Sequence, residues 1–261
     1  MTDELDSGVQ DAGRPAATLV IIFDRPDGAP ELLMMERAST MAFAAGALVF
    51  PGGGVEAGDH MLAARIDHGL DDDEAAHRIA AIRETVEEAG LGIGLTGGVD
   101  AAALLRLRDG LHDGRSLGEM LDRLGLGIAL DALTPFARWH PAPFEGARRI
   151  YDTRFYLARA PQGQMASVDS TENVRLMWRS AADTLAMADR GEAQIIFPTR
   201  RNLERLAQYD SHDALVTHAM AHPVRKIRPW REERGGEMHL CIPDDAGYPV
   251  TGEPMGRVRR A

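Results

Sequence analysis

Apolar positions form short β-rich runs early in the chain and helical stripes further on. Ala16 to Phe23 is one β-rich run and Leu32 to Met35 another, with Asp27-Gly28 supplying turn chemistry between them, which predicts a hairpin. Met34 and Met35 are assigned to the core. A loop over Ser39 to Ala45 leads to a third strand, Ala47 to Phe50, which runs straight into Pro51-Gly52-Gly53-Gly54. Beyond it, Ala75, Ile79, Ile82 and Val86 gather on one side of a helix at about 100° per residue, while Glu84, Glu87 and Glu88 fall within an arc of about 100° on the other. Asp71-Asp72-Asp73 supplies N-cap candidates and dipole-favoured acids, so the helix is expected to start near residue 73, and Gly90 is its stop. Ala101 to Leu107 and Leu117 to Leu124 predict two helices separated by Asp109 to Gly114. Strands near 133 to 139 and 153 to 158, helices from about Ser180 to Arg190 and Thr199 to Gln208, and a hairpin across Gly235-Gly236 complete the pattern.

The acidic helix face carries the first chemical signal. A charged face opposite an apolar stripe is what most surface helices show. Here, however, the acids sit in the last turns before Gly90, where the macrodipole is negative and each misplaced anion costs roughly 0.3–1 kcal/mol. Stability alone favours Lys or Arg there. Ala80 and Ala81 flank Glu84, leaving room for a loop on the acidic side, and a bound cation would relieve the like-charge crowding.

The glycine turn and this helix resemble the Nudix box, G-x5-E-x7-R-E-U-x-E-E-x-G-U with U aliphatic. Gly53 through Asp59 match the first part, with Asp59 in place of Glu, and Arg83 through Leu91 match the second, with Thr85 at one aliphatic position. Residues 60 to 82 span 23 positions against the seven of the family, an insertion expected to lengthen the loop before the helix. Insertions inside the box are known from the coenzyme A diphosphatase branch. The stretch from Leu32 to Gly53 is similar to that branch's signature, L-L-T-x-R-S-x-x-L-R-x-H-x-G-Q-V-A-F-P-G-G, with the spacing from Arg37 to Gly53 kept and Ala42, Ala44 and Ala47 replacing Arg, His and Gln. The same stretch reads equally as two strands that any Nudix fold needs. Arg138 to Pro141 and Arg149 to Leu157 also look like the branch, extending the resemblance across about residues 16 to 206.

The resemblance implies an α/β fold of the α+β kind: a Nudix α/β/α sandwich with a mixed sheet, plus inserted helices and a C-terminal β extension. Residues 1 to 15, polar and rich in Asp and Gly, are expected to be a disordered lead. Residues 16 to 210 then form the Nudix domain, including a box insertion at 60 to 75 and a helical insertion at 101 to 127 suited to a lid or dimer surface. Residues 211 to 261 form an extension packed on the same domain. The implied activity is water attack on the diphosphate of a nucleoside diphosphate linked to a second group. Coenzyme A or acyl-coenzyme A is the preferred substrate, giving 4'-phosphopantetheine or its acyl form and 3',5'-ADP. ADP-ribose or dinucleotide cleavage is the alternative enzymatic reading, and a catalytically inert nucleotide-binding sensor the non-enzymatic one.

Chemistry at such a bond uses Mg2+ or Mn2+ to neutralise the phosphate oxygens and acidify a bound water. Glu87 and Glu88 are the first metal-ligand candidates, Glu84 is a further ligand or the water-activating base, and the Gly53 carbonyl is an additional ligand. Arg83 pairs with Glu87 and orients a catalytic carboxylate in the family's pattern, against the plain reading of a surface pair worth about 0.2–0.5 kcal/mol. Glu172, on a later stretch, is the rival candidate base; a loop acid or helix cap is its structural alternative. Arg37, Gly52, Gly54 and Glu56 are assigned to substrate binding, Glu56 also reading as a solvated loop residue. Asp59, one methylene shorter than Glu, is a doubtful direct ligand.

Composition bounds the partners. A 261-residue chain that is 44% hydrophobic can bury one substantial core with additions. Its net charge of -11 argues against nucleic acid or anionic membranes, so the expected partner is a small nucleoside-diphosphate-linked molecule. The single cysteine, Cys241, suits a reducing compartment, and the acidic start with no long apolar run makes cytoplasmic the expected location. A homodimer follows only by analogy with the family. Several other signals are given structural readings. His218 and His222, four apart, lack a third ligand. Thr199-Arg200-Arg201 resembles a phosphate clamp but makes a good helix start. Arg225, Lys226 and Arg228 could hold a 3'-phosphate but read better as a solvated strand face, and Trp139 and Trp178 could stack on an adenine or pack.

Overall fold

The computed structural model describes residues 13–38, 44–140, 150–168 and 173–258. Two strands, β1 (Arg14–Phe23) and β2 (Glu31–Arg37), pair antiparallel as the hairpin signal predicts, with Ile22 opposite Leu32. β1 begins two residues before Ala16, inside the expected lead; the rest of that lead, up to residue 12, lies outside the described residues. So do residues 39–43 of the predicted loop. β3 (Leu48–Val49) pairs β2, and β4 (Gly52–Gly54) pairs β1 with Gly53 opposite Ala17. Helices α1 (Ala57–Ala63) and α2 (Asp72–Ala89) follow, then β5 (Leu95–Thr96), α3 (Ala101–His112), α4 (Leu117–Leu124) and β6 (Gly127–Ile128), the two short strands pairing with each other. β7 (Thr134–Trp139), β8 (Tyr151–Arg159), β9 (Asn173–Ser180), α5 (Ala181–Asp189), α6 (Phe197–Leu206), α7 (His212–Ala221), β10 (Lys226–Ile227), β11 (Trp230–Arg234), β12 (Glu237–Cys241) and β13 (Gly252–Pro254) complete the order.

The main sheet is mixed: β8 lies parallel to β1, β7 antiparallel to β8 and β10 parallel to β7, while β9 pairs antiparallel along β2. Alternation along β1 divides the core in two. Ala17, Leu19 and Ile21 join one apolar cluster with Ile79, Ile82 and Val86 of α2 and Leu107 and Leu121 of α3 and α4. Val20 and Ile22 join a second with Trp139, Leu203 of α6 and Leu215 of α7. Buried on both faces, β1 reads as the near-continuous apolar run that a central strand needs. The result is the expected α/β/α sandwich with a mixed sheet. Met34 and Met35 are fully buried. Residues beyond 210 supply α7, β10 and a three-stranded sheet of β11, β12 and β13, and Leu240, Ile242 and Tyr248 enter the second cluster. Among the described residues, no helix is long and apolar enough to cross a membrane.

Two expectations change. The box insertion is not a plain loop, because α1 runs from Ala57 into its first residues, packed through Leu62 and Ala63. The first inserted helix runs on to His112; Gly110 does not stop it because Leu107 and Leu111 stay on the buried stripe. That insertion also packs its apolar side into the same core as α2. The sheltered acidic side of α2, by contrast, is what the small Ala80 and Ala81 predict. From Ala75 to Arg83 every residue is buried, because the sheet covers one side and α1 and α3 approach the other.

Candidate active site

Helix α2 is built as its sequence dictates. The Asp71 carboxylate accepts from the backbone N–H groups of Asp73 and Glu74 at 3.0 and 3.3 Å, and Gly90 closes the helix in the left-handed conformation at φ 64°. Between these caps the register carries Arg83, Glu84, Glu87 and Glu88 to the glycine strand β4. A side chain on Gly53 would overlap the Glu84 carboxylate, and one on Gly52 would run into the Ala17 carbonyl. Glycine is therefore required here by close approach, and the turn fits directly over the acids.

Arg83 organises the cluster. Its Nε and Nη2 donate to the two oxygens of Asp59, both at 3.1 Å; Nη1 donates to Glu84 at 2.9 Å and Glu87 at 3.2 Å, and Nη2 to the Gly54 carbonyl at 2.7 Å. Burial lowers the Arg83 pKa, but its three carboxylate partners more than reverse that and hold it charged. Asp59 is 1% exposed and also accepts from the Glu56 N–H at 2.9 Å, across the first turn of α1. Its shorter side chain is thus committed to Arg83 and to starting α1. Glu88, buried, accepts from the Gly52 N–H at 2.8 Å and so ties the helix end to the glycine strand.

Three carboxylates meet one guanidinium, and the imbalance shows in their acidity. Burial pushes Glu84 up to about 7, against the pull of Arg83 and with a further push from Glu87. Glu87 is also raised, by burial first, with Arg83 opposing and the Glu56 charge adding to the rise. A surplus of partly dehydrated carboxylates beside a turn with no Cβ is donor chemistry that suits a hard dication. Among the described residues, however, no three His, Cys, Asp or Glu side chains already converge as a ligand set. The physical reason is visible: Arg83 holds Glu84 and Glu87, and the Gly52 N–H holds Glu88.

The other assigned residues fall out unevenly. Gly54 serves Arg83 through its carbonyl, and Glu56 is the exposed residue preceding α1. Arg37 ends β2 at an irregularity in its pairing with β9; its backbone N–H donates to Ala47 at 3.1 Å and its carbonyl accepts from Gly46 at 3.2 Å. Glu172 lies outside the described residues. Sequence reasoning missed Arg108 of α3, which donates to the carbonyls of Glu87 and Glu88 at 2.8 and 3.2 Å and to the carbonyl and hydroxyl of Ser167 at 3.0 and 2.8 Å. The cation missing from the last turns of α2 is therefore supplied by the inserted helix. It also missed His112, whose charge lowers Glu87.

The remaining signals resolve into structure. Trp139 is buried, its indole N–H shared between Asn202 and Tyr248 at 3.2 and 3.1 Å. His218 accepts from Arg205 at 2.8 Å and contacts the Tyr209 hydroxyl. Arg200 pairs Asp189, and Arg201 pairs Glu204 and Glu253. Trp178 is partly buried, with Phe23 at 6.0 Å between ring centres.

In fold the chain is similar to the Nudix hydrolases, which supports a hydrolase acting on the acid anhydride bonds of phosphorus compounds, and it resembles the coenzyme A diphosphatase branch of that family. It is 28% identical to the acyl-coenzyme A diphosphatase NUDT19 of Gallus gallus, over 77% of this chain and 67% of that protein. A Nudix hydrolase from Alicyclobacillus acidocaldarius superposes with a TM-score of 0.68 at 28% identity, covering 78% of this chain and 95% of that one. The Nudix domain of Shewanella oneidensis NrtR, solved with ADP ribose, is more remote at 14% identity and a TM-score of 0.42, over 80% of this chain and 97% of that one. No protein-family model matches the chain.

Proposed function

We propose that this chain is a metal-dependent diphosphatase of coenzyme A or acyl-coenzyme A, releasing 4'-phosphopantetheine or its acyl form and 3',5'-ADP. The observation that carries the substrate is the 28% identity to an acyl-coenzyme A diphosphatase across 77% of this chain. In this reading Glu84, Glu87, Glu88 and the Gly53 carbonyl hold Mg2+ or Mn2+, which neutralises the diphosphate and acidifies the attacking water. Arg83 sets the rotamers of Glu84 and Glu87 through its bonds to both. Glu88, bound to the Gly52 N–H, keeps the helix against the glycine strand. Glu84, with an acidity shifted into the neutral range, is the candidate to take the proton from water in the protein as described, and Glu172 is its rival. Arg37, Gly52, Gly54 and Glu56 line the approach of the substrate.

The test is a panel of coenzyme A, acetyl-coenzyme A, ADP-ribose, NADH and diadenosine polyphosphates with Mg2+ and Mn2+, scored by product masses. Release of 3',5'-ADP from coenzyme A at the highest kcat/KM is the expected result. Faster cleavage of ADP-ribose or NADH with coenzyme A untouched removes the substrate assignment, and binding without turnover of any member removes the enzymatic one.

A further inference from the structure

A cleft of about 460 Å³ opens at the end of α2 opposite the box acids, between that helix and strands β7, β8 and β10. Glu74 marks this end. Ten residues separate it from Glu84, about 15 Å at 1.5 Å per residue. In a chain of net charge -11 the lining is inverted: Arg78, Arg138, Arg154, Arg225 and Lys226 face one lining carboxylate, Glu74. Apart from Glu74, the acids that offset these cations, Asp73, Asp152 and Asp245, are not among the lining residues. Arg138 donates Nε and Nη2 to Asp152 at 2.7 and 2.8 Å, and Lys226 reaches the same carboxylate at 2.6 Å. Arg154 pairs with Asp73 and Glu74, and Arg225 with Asp245.

These pairs leave a surplus. Arg78 and Arg154 are balanced by Glu74 and Asp73, and Arg225 by Asp245, but Asp152 is a single negative charge between two positive ones. Its own acidity reports that field: despite burial, hydrogen bonds from Arg138 and Lys226 hold it down at about 2. Donor capacity is also left over, since Arg138 commits two of its three nitrogens and Lys226 one acceptor for three hydrogens. Strands place these groups rigidly. Lys226 stands opposite Arg138 in the β10–β7 pair, and Arg138 opposite Arg154 in the β7–β8 pair, so three cations form one row across the sheet. Such a row presents converging N–H groups to a compact, multiply charged oxyanion.

We propose that this cleft is a second anion site, separate from the Nudix box, that takes a phosphomonoester or an equivalent phosphate dianion on Arg138, Arg154, Arg225 and Lys226. The ligand's source is either free phosphate or a phosphate group remote from the scissile bond of the substrate.

The experiment is calorimetric titration of inorganic phosphate into the full chain with divalent metal chelated, so that turnover plays no part. One saturable site in the millimolar range or tighter is expected. Lys226→Gln, which leaves Arg138 bidentate on Asp152, should weaken it roughly tenfold, and so should Arg225→Glu, a half-exposed position safe for folding. Glu87→Gln in the box should leave it unchanged. Absence of saturable binding, undiminished binding in both cleft variants, or loss in the box variant alone overturns the site. Steady-state kinetics of Lys226→Gln then separates the sources: a raised KM at constant kcat assigns the phosphate to the substrate, and an unchanged KM assigns it to a free ligand.

Discussion

Replacing Asp59 by Ala probes the role its contacts give this position, that of a partner to Arg83. Asp59 and Arg83 are 1% and 4% exposed and joined by two bonds of 3.1 Å. Removing one partner of a buried pair costs about 3–5 kcal/mol. Arg83 keeps Glu84, Glu87 and the Gly54 carbonyl, which pulls the figure to the low end, whereas the orphaned Glu56 N–H at the start of α1 adds about 0.5–2 kcal/mol. A loss of about 3–5 kcal/mol is therefore expected, and at roughly 2–4 °C per kcal/mol for a domain near this size the melting temperature falls by well over 5 °C. Arg83→Met should be as damaging or worse, because Asp59, Glu84 and Glu87 are left facing one another. In the double mutant Asp59→Ala/Arg83→Met the two losses should fall short of additivity by about 0.5–3 kcal/mol, the range for residues in direct contact. The assay is urea unfolding with metal chelated. A cost for Asp59→Ala under about 1 kcal/mol, or strict additivity in the cycle, refutes the reasoning; a Mn2+ affinity that collapses while metal-free stability stays intact makes Asp59 a ligand after all.

Other expectations follow from the same geometry. Glu87→Gln and Glu88→Gln should each lower kcat by orders of magnitude while leaving urea midpoints nearly unchanged, since each removes charge and no core volume; unaltered turnover in purified variants contradicts the assignment. Glu84 is raised to about 7 by burial, so the native state holds a proton that the unfolded chain releases near the ordinary glutamate value. Metal-free stability should therefore fall as pH rises from about 4.5 to 7, and Mn2+ affinity should rise over the same window as the carboxyl is freed of its proton. Chelator-buffered melts and Mn2+ titrations across pH check both slopes, and a flat Mn2+ profile removes Glu84 from the ligand set. Arg108→Ala unpairs the Glu87 and Glu88 carbonyls and the Ser167 contacts, at an expected cost of about 2–4 kcal/mol, with faster amide exchange around Ser167; retention of wild-type exchange there would show that the clamp carries nothing.

How far the sequence could be followed depended on how local the cause was. The hairpin of β1 and β2 and the caps Asp71 and Gly90 are set by turn chemistry and by side chains within four residues, and each appears where its residues place it. The convergence of the glycine strand on Glu84 and Glu88 was also legible, because consecutive glycines, here Gly52 and Gly53, serve close approach and the helix period fixes which acids meet them. β9 escaped notice because Arg175 and Arg179 interrupt its apolar residues; it is a strand because β2 offers a complete edge from Glu31 to Arg37. The role of Asp59 was equally hidden. Its partner lies 24 residues away, beyond an insertion whose path no local rule specifies.

Arg108 shows the wider consequence of inserted segments. Read alone, α2 ends with clustered acids and no compensating cation, an arrangement local electrostatics disfavours. The compensation comes from α3, whose apolar stripe of Leu104, Leu107 and Leu111 joins the core cluster of α2 and aims the Arg108 guanidinium at the last carbonyls. On the other flank the box itself supplies the lock, where Asp59 at the start of α1, just before the insertion, holds the far side of Arg83. The added segments thus do more than decorate a smaller plan. They shelter the acidic helix and bring Arg108 to its last turns, while burial and the single guanidinium of Arg83 leave the carboxylates held in place and still short of positive charge.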